Sequence, residues 1–364
     1  MGIMRKMLIG AAAVALSVAV TGGSSAQSLK ISPELQKVID GAKQEGRLVI
    51  SVTENAFNGS EGHRHAVERI NALFGTKLEL SWSPGPAYAA VAAKLLAEKE
   101  ANQPAHTDVF LGTAVQVAPF QKQGLFRKVD WAGLMPDRVQ SSMVEGDGTA
   151  LRIYTSLPAI IYNKSEEQAV LKTTALSDFL KPEWKGKFYS NPILAGFDVL
   201  VSEQVWGEQK TRDYVTAFAP QLAGVIDCGS PDRVASGEIP IVVMDCSGAD
   251  PYTPKYSGVL GAHILKDFAQ RRYAYLAVPA NSAHPNAAIL FALFWVTDEG
   301  QQYSWTNNAT DLIDLPASHR RAEFEKLEQQ GFKFTDVTVA WENAQPNLAQ
   351  AQRGLIKLLQ EKMH

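Results

Sequence analysis

The sequence predicts an α/β protein of two lobes, each a mixed, mostly parallel sheet with flanking helices, joined by two crossing strands. Three observations carry this. Strand-like and helix-like segments alternate, the mark of a mainly parallel sheet covered by helices. The alternation is interrupted by a strand-rich segment, "LRIYTSLPAIIYN" (151–163), and then restarts. A later strand-like segment, "RRYAYLAVPA" (271–280), leads into a helical remainder. The chain is therefore expected to enter a second unit near residue 155 and leave it near 275. Residues 27–154 and 276–364 form lobe 1, and residues 155–275 form lobe 2.

The elements follow from local signals. In "SPELQKVIDGAKQEG", Ser32 is a cap, Pro33 suits the first helical position, and Leu35, Val38, Ile39 and Ala42 make one apolar face. Gly46 ends that helix. "RLVISVT" is an apolar run too short for a helix and reads as a buried strand. A helix with Val67, Ile70, Leu73 and Phe74 inward follows, then strand "KLELSWS" and helix "AYAAVAAKLLAEKEA". Strand "TDVFLG" and helix "AVQVAPFQKQG" complete the first run. In the second lobe, helix "TALSDFL", strand "KFYSN", a helix through "VLVSEQVWGEQ", strand "AGVIDC", short helix "PDRVASG" and strand "IPIVVMDC" repeat the pattern. The remaining helices are "PNAAILFALFWVTDEGQQYSW", "SHRRAEFEKLEQQ" and "PNLAQAQRGLIKLLQEK".

The first 26 residues read as a secretory leader. Arg5 and Lys6 precede an apolar run from Leu8 to Val20, and Ser24 and Ala26 occupy the small-residue places of a cleavage site. The run is shorter than the roughly 20 residues that span a bilayer. No Cys stands near the cleavage point, so no lipid anchor is expected. The leader removes two cations and no acid, so the formal charge falls from −3 to −5. An acidic chain lacks the basic surface that phosphate contacts require, which excludes nucleic acid as a partner. The expectation is a monomer in the periplasm. Cys228 and Cys246 are the only cysteines. In an oxidising compartment such a pair reads as a disulfide, and the alternative is a pair of thiolates on a metal.

Ligands of open α/β sheets bind beyond the carboxyl ends of the strands. In lobe 1 this selects Thr53, Glu54 and Asn55, then Ser83 and Gly85, then Gly112 and Thr113, with Ser156 at the crossing. In lobe 2 it selects Asn191, Phe197 at the Gly196 turn, Ser230 before a helix, and Asp245 and Ser247. Loop aromatics Phe57, Trp82, Tyr88, Tyr252 and Tyr256 either stack on a planar solute or pack. His63, His65 and Glu68 either ligate a metal or form a polar helix entry, and Arg271 and Arg272 either reach a carboxylate or serve the surface. No metal site, cofactor or catalytic group is assigned.

Four segments resemble a known group. They are "AAKLLAEKEANQPAHTDVFLG", "SDFLKPEWKGKFYSNP", "VASGEIPIVVMDC" and "VPANSAHPNAAILFALFWVTDEGQQ". Together they resemble the type II periplasmic solute-binding proteins of ABC importers, nearest the extracellular solute-binding family 1 group that includes ferric-ion-binding proteins. The resemblance implies a substrate-binding component that captures a small solute between its lobes, closes by hinge motion and delivers it to the permease subunits. In ferric-binding members, iron is held by a His, a Glu and two adjacent Tyr. Here the Tyr places fall on Cys246 and Ser247, and the Glu place falls near Thr113. That departure points to a small organic solute or an anion held by neutral hydrogen-bonding groups. Ferric or other metal-ion binding is the alternative within the fold. An exported hydrolase using the "DCSG" turn is the alternative outside it, and it lacks a G-x-S-x-G elbow.

Overall fold

Local signals are obeyed closely at the start of the described chain. Ser32 accepts a hydrogen bond from the Leu35 amide at 3.0 Å, and Gly46, at φ 62°, closes the helix Pro33–Glu45. The computed structural model describes residues 30–228, 230–246, 248–345 and 347–363. The expected leader, residues 1–26, lies outside them, as does Ser247. Residues 31–364 form one compact unit.

Strand β1 (Arg47–Val52) pairs in parallel with β2 (Glu79–Pro84), placing Ser51 opposite Ser83. The helix Gly59–Phe74 connects them and buries Val67, Ile70 and Phe74. Leu73, expected inward, lies at the flank of that stripe and is 36% exposed. β3 (Phe110–Thr113), β4 (Val144–Glu145) and β5 (Ala150–Ser156) follow. The chain then passes to a second sheet of β6 (Ile160–Asn163), β7 (Tyr189–Ser190), β8 (Gly224–Val225), β9 (Ile241–Val242) and β10 (Leu260–His263), in the order β10-β6-β9-β7-β8. It returns through β11 (Gln270–Ala277), whose one edge pairs with β5 and whose other pairs first with β12 (Thr335–Val337) and then with β3.

Among the described residues, β1 and β2 form a two-stranded parallel sheet, which together with the mixed sheet of β3, β4, β5, β11 and β12 makes the first sheet system; the second sheet is also mixed. The parallel pairs β1–β2, β7–β8, β7–β9 and β11–β12 are those linked by helical crossovers. The antiparallel pairs of β5, β6, β10 and β11 arise where the chain changes sheet, at 157–159 and again at 264–269. Strands β4, β10 and β12 are additions to the sequence reading. The helix expected through residues 199–209 is divided. Phe197–Val201 stops at Ser202, and Glu208–Phe218 starts after Gly207, which sits at φ 80°.

The last helix, Leu348–Lys362, departs from the expected boundaries. Leu348, Ala351, Leu355, Leu358 and Leu359 form its apolar stripe and join the core of the second sheet, against the helices Phe197–Val201 and Glu208–Phe218. Residues 338–345 therefore lead a third passage between the sheets. The helix Pro285–Phe294, apolar on every side, is buried along its length under the first sheet system.

Candidate functional site

On the first-sheet side, the strand ends bring together neutral hydroxyls. Thr53 follows β1, and the Ala56 amide closes a turn back to its carbonyl at 2.9 Å. Tyr88 opens the helix Tyr88–Glu100, and Tyr154 stands on β5. The hydroxyls of Thr53 and Tyr154 both interact with that of Tyr88. Burial raises the pKa of both phenols, so neither is a phenolate at neutral pH. Tyr154 was missed in the sequence. Its signal is the alternation of β5, which puts Arg152, Tyr154 and Ser156 on the less buried face.

Of the predicted residues on this side, Glu54, Asn55 and Ser83 are exposed and Thr53, Gly85 and Ser156 are half-buried. The Gly85 amide donates to the Val52 carbonyl at 2.6 Å, and an added Cβ would come within 2.9 Å of the Ser51 hydroxyl. Gly85 thus supports the β1–β2 strand ends through close approach. The Thr113 hydroxyl is committed to Gln116 Oε1 at 2.7 Å, at the head of the helix Ala114–Gln121. Gly112 is buried, with the ring of Phe110 where a side chain would stand.

On the second-sheet side, the Cys228–Cys246 disulfide joins the loop after β8 to the loop after β9, with Cα atoms 5.8 Å apart. Beside it is a narrow recess of about 20 Å³, bordered by Asn191, Asp227, Ser230, Asp245 and Asp250. Asp245 accepts the Gly248 amide at 2.8 Å. Burial, then the neighbouring Asp245 and Asp232, pushes the Asp250 carboxyl up to about 7. Asp227 and Asp250 were also missed in the sequence, where nothing marks them apart from ordinary loop acids.

Three expectations on this side change. Phe197 is fully buried and packs with Tyr214, Phe218 and Phe268, so its ring is spent on the core. The αL turn at Gly196 (φ 91°) turns that ring inward. Asn191 borders the recess, but its amide serves the fold: Nδ2 donates to the Met244 carbonyl at 2.8 Å, and Oδ1 accepts the Ala195 amide at 2.6 Å. Ser230 lies at the recess, and its side chain caps no amide of the five-residue helix Pro231–Ala235.

The remaining candidates resolve into packing and ion pairs. Phe57 stacks on Trp295 at 4.3 Å and is buried, as is Tyr256. Tyr252 lies 4.6 Å under the Arg320 guanidinium and donates to Glu323. His63 is fully buried, shares a 2.6 Å hydrogen bond with the Gly59 carbonyl, and has its pKa lowered by burial to about 4. His65 instead stacks on Tyr303, and Glu68 pairs with Arg64, so these three side chains do not converge. Among the described residues, no group of three or more His, Cys, Asp or Glu is placed to hold a metal ion. The arginines of the crossing strands are engaged: Arg152 with Glu145, Arg271 with Asp336 and Glu328, and Arg272 with Asp198.

The profile of the family described as bacterial extracellular solute-binding protein matches residues 65–331. Solved structures share the fold at low identity. The ferric binding protein from Campylobacter jejuni is 17% identical with a TM-score of 0.64, covering 86% of this chain and 99% of that one. The periplasmic binding protein AfuA from Actinobacillus pleuropneumoniae, with exogenous fructose-6-phosphate bound, is 16% identical with a TM-score of 0.67, covering 86% and 99%. The substrate binding protein of the ABC transporter from Agrobacterium tumefaciens is 13% identical with a TM-score of 0.68, covering 87% and 96%. Among curated proteins, none matches the sequence.

Proposed function

The chain belongs to the bacterial extracellular solute-binding proteins, and from that membership we propose that it is the periplasmic receptor of an ABC importer for a small organic solute. It takes the solute where the strand ends of its two sheets face, closes around it by bending at the passages between them, and presents it to the permease. Closure follows only if the solute makes contacts in the closed form that the open form lacks. The arrangement of polar strand ends carries this reading. Thr53, Tyr88 and Tyr154 present hydroxyls on one side, and the disulfide-tied recess presents Asp245 and Asp250 on the other.

The charges narrow the solute. Arg152, Arg271 and Arg272 are bound to carboxylates of the protein, whereas the recess is acidic. This favours a neutral or amine-bearing organic solute over an anion. Ferric iron needs several anionic oxygen donors. The tyrosine places of ferric-binding relatives hold Cys246 and Ser247 here, and the phenols of Tyr88 and Tyr154 are held protonated. The hydrolase reading loses a thiol nucleophile, because Cys246 is in the disulfide.

Native mass spectrometry of the protein freshly isolated from the periplasm tests the reading. The expected result is a retained organic solute, with small-angle scattering showing compaction when it is added back. Recovery of the protein in the cytoplasmic fraction, or no compaction with any tightly bound solute, overturns it.

A further inference from the structure

Two strained turns at the strand ends of the second sheet are held by one side chain. Among the described residues between 157 and 269, the non-glycine residues with a left-handed backbone are Leu194 (φ 47°) and Met244 (φ 67°). Neither has the short polar side chain that eases this conformation, so the surroundings must hold each of them there. Leu194 lies in the turn after β7, and Met244 lies in the turn after β9. Both side chains are anchored in the second-sheet core.

Asn191 stands between these turns. It follows β7, which has parallel neighbours on both sides, and it is 2% exposed. Its Nδ2 donates to the carbonyl of Met244 itself at 2.8 Å. Its Oδ1 accepts the amide of Ala195, the residue after Leu194, at 2.6 Å. The Leu194 amide closes the same turn on the Asn191 carbonyl at 3.1 Å. A carboxamide serves both turns because it has a donor end and an acceptor end. One residue earlier, the Ser190 hydroxyl donates to the Val243 carbonyl at 2.9 Å, so two successive side chains grip the end of β9. The second turn carries part of the recess. Met244 is followed by Asp245 and Cys246, which line the recess together with Asn191. The Asp245 amide donates to the Ala159 carbonyl at 2.8 Å, and Cys246 is tied to Cys228 beyond β8. The ends of the three neighbouring strands β8, β7 and β9 are thus joined by the disulfide and by the Asn191 amide.

We propose that Asn191 is a positioning residue. Its amide sets the left-handed turns at Leu194 and Met244, and through Met244 it fixes where Asp245 and Cys246 stand at the recess. Backbone strain of this kind persists only where neighbours over-determine it, and it gathers at binding sites. Asn191 acts through the residues it holds, because both ends of its own amide are occupied. That the recess is half of a solute site rests on the receptor reading above; the positioning of Asp245 and Cys246 does not.

Hydrogen exchange of the full mature chain, read by mass spectrometry, tests this on the wild type, Asn191→Leu and Asn191→Ala. Leucine keeps the volume of asparagine and removes both hydrogen bonds, so a packing role would survive it. Exchange should quicken by about tenfold in 193–196 and 243–246 in both variants, while β1 and β5 stay as in the wild type. The disulfide gives a second measurement, since Cys228 is exposed to a small thiol. In a glutathione buffer the equilibrium ratio of disulfide to dithiol should fall by about tenfold in both variants, because Cys246 is no longer held ready to close. Should one variant fail to fold, the other decides through the contrast between these segments and the first sheet. Exchange that stays unchanged in Asn191→Leu, or that rises evenly over both sheets, overturns the proposal. A disulfide equilibrium that keeps its wild-type value does the same. Local loosening in a protein that shows no solute-induced compaction would retain the positioning and discard the receptor reading.

Discussion

Breaking the Cys228–Cys246 bridge measures both the bridge and the size of the unit it stabilises. The cysteines are 18 positions apart. The chain-entropy relation for a loop of that length gives about 3 kcal/mol of stabilisation at 25 °C, by restricting the unfolded chain. How far the melting temperature falls depends on how many residues unfold together. At roughly 2 cal/mol/K of unfolding entropy per residue, cooperative melting of residues 31–364 converts that energy to a fall of about 4–5 °C. If residues 157–269 melt by themselves, the same energy gives a fall of about 13 °C. Scanning calorimetry on the Cys228→Ser, Cys246→Ser variant, and on wild type reduced and checked by thiol titration, distinguishes these. Both samples should melt early and alike. An unchanged melting temperature in fully reduced wild type would refute the reasoning, since it leaves the bridge no role in the unfolded state.

Three further outcomes are expected. Gly248→Ala should destabilise the protein by more than about 2 kcal/mol, because the site needs φ 64° and the added Cβ would stand 1.9 Å from the Leu157 carbonyl oxygen; urea unfolding checks this. Arg272→Leu should cost about 3–5 kcal/mol by leaving the buried Asp198 charge unpaired, and the double variant with Asp198→Leu should recover much of the loss in the same assay. His63 is held neutral, with its pKa lowered from 6.5 to about 4. The unfolded chain therefore binds the proton first, and stability should fall by about 3 kcal/mol as pH drops from 6.5 to 4. His63→Gln should lose that part of the acid slope in thermal melts across the same range.

The parts legible in the sequence are those written over a few neighbouring residues. Ser32, Pro33 and Gly46 frame the first helix because capping is local chemistry. The restart of βα units after residue 163 shows in the sequence because a period of two and a period of 3.6 differ in any short window. The disulfide shows because only two cysteines exist to pair. Side-chain direction at turns is not written this way. Phe197 follows a strand end, as a ligand residue would, but the αL backbone of Gly196 turns it into the core. The partner of an amphipathic helix is equally hidden. The stripe of Leu348–Lys362 reveals that one face is buried without saying which sheet covers it. Tyr88 with Tyr154, and Asp198 with Arg272, are meetings of distant segments that only the fold creates.

The placement of the last helix changes how the two sheets can move. Two passages, at 157–159 and 264–269, would leave a hinge of two neighbouring segments, which bends about the line joining them. The third passage, led by residues 338–345, adds a tether from β12 on the first sheet to the second-sheet core. A third tether off that line resists twisting while still permitting bending, provided its own packing can slide or release. The bridging helix Val339–Asn343 is the element that must do so, since it lies on Ala114–Gln121 while Trp341 touches the opposite core.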